Sequence, residues 1–183
     1  MKDIFHRYKS VIRFVVLFLG TYLVLTFLYS WYLQSAKGGE YPPDFITHLV
    51  AKQSSDVLNG LGYEANVTPA ADQPMMKLFV NDTYLAKIIE GCNAVSIIIL
   101  FIAFIVAFAH KWKKTLLFIL GGTVLIYGIN IVRIAILAIA LYKYPEYDKV
   151  LHTVVFPGII YGMVFLLWMI WVRGLKQKNP KKA

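Results

Sequence analysis

Apolar residues along this chain gather into four long blocks, Phe14–Leu33, Asn93–Ala109, Thr115–Tyr142 and Thr153–Val172. About 20 mainly apolar residues cross a bilayer core as a helix, so the pattern predicts four transmembrane helices. The polar interval between the first two blocks is patterned as well. Pro42-Pro43-Asp44 precedes a stripe of Phe45, Leu49, Val50, Val57, Leu58 and Leu61, and Gly60 and Gly62 close it. That is the start, apolar face and stop of a helix suited to lie on the membrane surface. After it, Glu64–Thr68, Lys77–Val80 and Tyr84–Ile88 are short β-prone runs, separated by Pro69–Pro74 and by the turn pair Asn81-Asp82. They are compatible with a small sheet.

Composition agrees with the membrane reading. Of 183 residues, 58% are hydrophobic and 16% charged, and the mean hydropathy is +0.61. Typical soluble domains are about 45–50% apolar, so a water-soluble globule is excluded, as are disordered and collagen-like chains. The single cysteine, Cys92, excludes an intrachain disulfide scaffold.

The net charge of +9 gains its meaning from position. Lys2, Arg7, Lys9 and Arg13 precede the first block. Lys111, Lys113 and Lys114 fill the connection after the second, and Arg173, Lys176, Lys178, Lys181 and Lys182 follow the fourth. These twelve basic residues share their three regions with one acid, Asp3, whereas segments 34–91 and 143–152 carry six basic and nine acidic residues. The positive-inside rule then predicts both termini in the cytoplasm of a bacterial inner membrane and the 58-residue segment 34–91 outside it. The first block reads as an uncleaved signal anchor, being too long for a cleavable apolar region and lacking a convincing small-residue site near Ala36. Basic residues that flank spans argue against nucleic-acid binding, which needs them gathered on one folded face. The expected fold class is an all-α integral membrane protein with four transmembrane helices, whose extracytoplasmic loop carries a helix and a small β-sheet. Its parts are 1–33, cytoplasmic N-terminus and anchor helix; 34–91, external loop; 92–172, three-helix membrane core; and 173–183, basic cytoplasmic tail.

Three residues from three helices fall at one expected depth. Cys92 stands at the external start of the second block, where free amides and the helix dipole favour a thiolate; its plain alternative is a packing residue. Arg133 lies 18 residues beyond Thr115, about 27 Å along a helix and near the outer edge of a roughly 30 Å core. A charge there is costly, unless it snorkels to the interface. Asn130, one turn earlier, could hold its guanidinium. His152 opens the fourth block; alone it could be a solvated or capping residue. Asp148, four residues before it, could orient the imidazole. A thiol, a base and a fixed cation at one level suit nucleophilic acyl transfer: His152 would move the thiol proton to the leaving amine and Arg133 would stabilise the oxyanion. The four histidines have no second ligand at metal spacing, so no metal is expected. No glycine-rich phosphate loop occurs either, and no cofactor is expected. Gly121-Gly122, inside a span, is expected to permit close helix packing.

The blocks Glu90-Gly91-Cys92-Asn93, Asn130-Ile131-Val132-Arg133-Ile134 and His152 resemble, in order, the Cys, Asn-x-x-Arg and His blocks of the exosortase/archaeosortase family of membrane cysteine transpeptidases. The likeness runs from about Phe79 to Val172 and is strongest to the short exosortase F type of Bacteroidetes. It implies cleavage near a C-terminal sorting signal made of a short motif, a transmembrane helix and a basic tail. Transfer of the protein to a surface acceptor follows. Carried over, Cys92 is the nucleophile, Arg133 the oxyanion or positioning cation, and His152 the base, facing the periplasm. Asp148 has no counterpart in the resemblance and rests on spacing. The competing class is a noncatalytic membrane scaffold or assembly factor that docks a partner through the external loop.

Overall fold

The computed structural model describes the backbone of residues 2–176 and the side chains of residues 8–174, His152 excepted. In chain order the elements are α1 (Lys2–Ala36), α2 (Phe45–Gly60), β1 (Ala65–Pro69), β2 (Met76–Val80), β3 (Thr83–Ile88), a 3-10 turn (Glu90–Cys92), α3 (Val95–Ala107) and α4 (Trp112–Lys143). A 3-10 turn at Pro145–Tyr147, the one-turn helix α5 (Asp148–Val150) and a π-helical turn (Leu151–Val155) then lead into α6 (Phe156–Lys176).

Local chemistry accounts for α2. Asp44 caps it, its Oδ1 accepting from the amides of Ile46 and Thr47 at 3.0 Å each. Gly62, at φ +88, turns the chain away at its end, a left-handed conformation that glycine adopts without steric cost. The three strands form an antiparallel sheet in the order β1-β2-β3. Alternate residues of β2, Met76, Leu78 and Val80, are buried, which is the half-covered pattern of an antiparallel strand. They pack with Val50, Ala51 and Leu58 of α2 and with Ile134, Ala135 and Ala138 of α4. The helix-and-sheet unit is therefore anchored directly on the outer part of α4.

Among the described residues three helical stretches are long and apolar enough to cross a membrane, Tyr8–Ala36, Trp112–Lys143 and Pro145–Gly174. The expected fourth span is shorter than the apolar block suggests. α3 has 13 residues, about 20 Å of rise against a core of roughly 30 Å. The block Asn93–Ala109 was apolar enough for more, but Ala94 takes a left-handed φ of +64 and breaks the helix just inside its expected start. α3 runs antiparallel to α1. Phe14 meets Phe104 and Phe108 at one end, and Asn93, just before α3, bonds to Tyr29 at the other. A second apolar core joins α3, α4 and α6, with Phe101, Ile126, Val164 and Trp171 buried. The ring of Phe101 lies against Gly122, where an added Cβ would stand 2.3 Å from it, while nothing lies within 4 Å of the same atom at Gly121. Close packing thus needs one glycine of the pair.

Candidate active site

Cys92 closes the 3-10 turn that joins the sheet to α3. Its amide donates to the carbonyl of Ile89 at 2.8 Å, and its own carbonyl accepts from Asn130 Nδ2 at 2.7 Å. The thiol is therefore carried on a turn ahead of α3, two residues away from the helix, and does not stand on the helix N-terminus. The intervening Asn93 explains the displacement. Its Oδ1 accepts from the Val95 amide at 3.0 Å, an Asx-type turn that occupies the first free donor of α3 from the residue ahead of its N-cap, Ala94.

The other end of Asn93 ties the turn to two distant segments. Nδ2 donates to Tyr29 Oη at 2.8 Å and to Thr47 Oγ1 at 3.0 Å. Asn93, Thr47 and Asn130 are all buried. A buried amide left unpaired costs about 1–3 kcal/mol, so this complete set of partners holds the turn in one geometry. Nearby, Tyr32 Oη donates to Asp44 Oδ1 at 3.3 Å, and Tyr127 Oη donates to Gln53 Oε1 at 2.6 Å. α1, α2 and α4 thus each clasp the polar region around Cys92.

Arg133 projects from α4 one turn beyond Asn130. Cys92 and Arg133, with Gly91, line one cleft of about 230 Å³. Arg133 Nε is buried with no hydrogen-bond partner among the described residues. Asn130 was expected to hold the guanidinium; its recorded bond goes to the Cys92 carbonyl. One face of α4 therefore serves the turn twice, gripping the cysteine backbone with Asn130 and presenting a cation to its side chain with Arg133.

A second basic residue, Lys87, also borders the cleft, whose apolar lining includes Leu78, Ile88, Ile134, Leu137 and Phe156. Its low polarity strengthens any interaction between a fixed cation and a developing anion. His152 falls in the π-helical turn that leads into α6, and its side chain lies outside the described residues. Phe156 and Pro157, four and five residues further along, line the cleft. Such π turns recur at functional sites. Asp148 begins α5, is exposed, and borders a second, more open cavity.

Sequence reasoning missed Asn93 as a working residue. An Asn at the head of an apolar run was the available signal for its local turn bond. Its bonds to Tyr29 and Thr47, 64 and 46 residues away, leave no local trace.

Comparison with known proteins returned no matching curated protein and no matching solved structure. The family model for transmembrane exosortases matches residues 6–172, a stretch that includes the whole sheet, the cleft and all but the last two residues of the helical stretches long enough to cross a membrane. This chain, a multi-pass membrane protein by its helices, belongs to the transmembrane exosortase family.

Proposed function

We propose that the protein is a membrane-embedded cysteine transpeptidase acting on C-terminal sorting signals of exported proteins, with Cys92 as nucleophile. The observation that carries this reading is the shared cleft. A lone thiol, held on a turn braced from three helices, shares it with a half-buried arginine whose Nε has no hydrogen-bond partner among the described residues. Family membership supports the same reading.

In this reading the Cys92 thiol gives up its proton to His152 as the sulfur attacks the scissile carbonyl carbon. Arg133 faces the oxygen that becomes the oxyanion, where positive charge preorganised in an apolar cleft lowers the barrier. Collapse breaks the C–N bond, returns the proton to the departing amine and leaves the upstream protein as a thioester on Cys92. An acceptor nucleophile then attacks the thioester carbonyl and releases the thiol. Asp148 orients the His152 imidazole from four residues upstream, a separation that neighbours on a helix share. No step requires a metal or cofactor.

In this reading the site faces the periplasm from the bacterial inner membrane, with both termini in the cytoplasm. α3 then serves as a short fourth crossing, supported by its antiparallel course along α1 from the level of Tyr29 to that of Phe14. From Trp112 to Asn130 α4 rises about 27 Å, which sets the cleft at the outer edge of the apolar core.

The test is tail removal from a co-expressed exported protein that ends in a membrane helix and a basic tail, with intact-mass analysis of the enzyme. The expected result is processing by the native chain, an acyl adduct on Cys92, and no processing by Cys92→Ala. Full processing by Cys92→Ala refutes the enzyme and favours a scaffold.

A further inference from the structure

The sheet has two edges, and they differ. β1 is closed at its first residue, where Ser55 Oγ and Asn59 Nδ2 of α2 both donate to the Ala65 carbonyl and Asn59 Oδ1 accepts from its amide. It ends in Pro69, which has no amide hydrogen. On β3 no hydrogen bond reaches the side away from β2 among the described residues. That open edge leads, four residues on, to Cys92.

Two cavities divide β3 between them. Thr83, Tyr84 and Leu85 line an open one of about 620 Å³. Ala86, Lys87 and Ile88 line the cleft that holds Cys92 and Arg133. The α4 residues bordering them, Arg133, Leu137 and Leu141, recur every four positions and form one stripe. The Pro145–Pro157 segment borders both from the other side. The track the two cavities mark follows successive halves of β3, from Cys92 outward to Asp148 over about 12 Å of α4, with Leu137, Leu141 and Phe156 packed together at the junction.

We infer that this track binds the stretch of substrate polypeptide upstream of the scissile bond, as an extended strand added in parallel to the free edge of β3. The inference rests on the transpeptidase reading and adds the binding mode. An open strand edge offers a row of unpaired amides and carbonyls, which extended peptides complete. Direction follows from geometry. The substrate body lies outside the membrane and its helix within it, so the chain enters at Thr83 and reaches Cys92 running the same way as β3.

The test uses disulfide trapping. Cys92→Ala leaves the chain without cysteine, so Thr83→Cys, Lys87→Cys or, as a control on α2, Lys52→Cys can be added singly. The partner is the exported reporter whose tail removal requires Cys92, carrying one cysteine at successive positions upstream of its cleavage point. A bulge at Leu85 sets Thr83 and Lys87 opposite Val80 and Lys77, three residues and so about 10 Å apart along the sheet. The expected result is one yield peak for each, with the Lys87→Cys peak about three reporter residues closer to the cleavage point. Peaks about seven residues apart, as a helical segment of that length requires, overturn the inference. So does reversed order, or yields no higher than with Lys52→Cys. If the native chain fails to process the reporter at all, the transpeptidase reading itself fails. Processing without this register removes only the strand-addition mode.

Discussion

The position of Cys92 is set by two asparagines. Asn130 holds its carbonyl from α4, and Asn93, the next residue, bonds to Tyr29 of α1 and Thr47 of α2. Asn130→Ala leaves that carbonyl without its side-chain donor and should destabilise the protein by about 1–3 kcal/mol while slowing alkylation of Cys92 by a maleimide. Thermal unfolding in detergent and a timed alkylation series measure the two effects. An alkylation rate equal to that of the native chain refutes the positioning role. Arg133→Ala should lower tail removal by about 10²–10³, the loss seen when one oxyanion donor is removed. Arg133→Lys should recover only part of it, because the ammonium keeps the charge and loses the planar fork. Equal rates for the lysine variant and the native chain would show that charge alone matters. Much of this scale was legible in the sequence. A lone cysteine, an intramembrane arginine and their common depth are visible in composition and spacing, and both residues do share a cleft. What stayed hidden was the bracing, because the partners of Asn93 and Asn130 are 38–64 residues away.

At the scale of elements, legibility followed locality. α2 begins and ends where Asp44 and the glycines predicted, since capping chemistry and an apolar stripe are written within a few residues. The three strands fall within two residues of the β-prone runs. α3 starts late because nothing in Ala94 itself announces a positive φ; the left-handed turn is imposed by the Asn93 clasp and the cleft. Packing between helices separates residues that look alike in sequence. Gly122→Ala should cost about 1–3 kcal/mol by forcing its methyl into the Phe101 ring. Gly121→Ala faces open space and should be neutral or slightly stabilising, as alanine favours helix. Melting temperatures of the two variants in one detergent decide it; equal shifts would refute the tight contact between α3 and α4. Asp44→Ala should cost about 0.5–2 kcal/mol through loss of the α2 cap, read by the same measurement.

For the whole molecule, charge and apolar rings sort the two ends. All acids except Asp3 lie between Glu40 and Asp148, on the end that carries the sheet, while Arg13, Lys111, Lys113 and Lys114 gather at the other. Large apolar side chains such as Phe27, Trp31, Leu117 and Val124 stand exposed between the ends, a surface suited to lipid. In the Cys92→Ala background, Lys52→Cys should react with a membrane-impermeant maleimide added to intact spheroplasts, and Lys113→Cys should react only after permeabilisation. Labelling of Lys113→Cys from outside would invert the proposed orientation. The contacts that brace the nucleophile also set when it can exist. Tyr29 and Thr47 emerge from the ribosome before Cys92, but Asn130 and Arg133 follow it by 38 and 41 residues, and the segment bearing His152 comes later still. A nascent chain therefore exposes its thiol on an unbraced turn until α4 has inserted. Cys92 and Arg133 can share their cleft only once α4 is in place, well after α1 has been made.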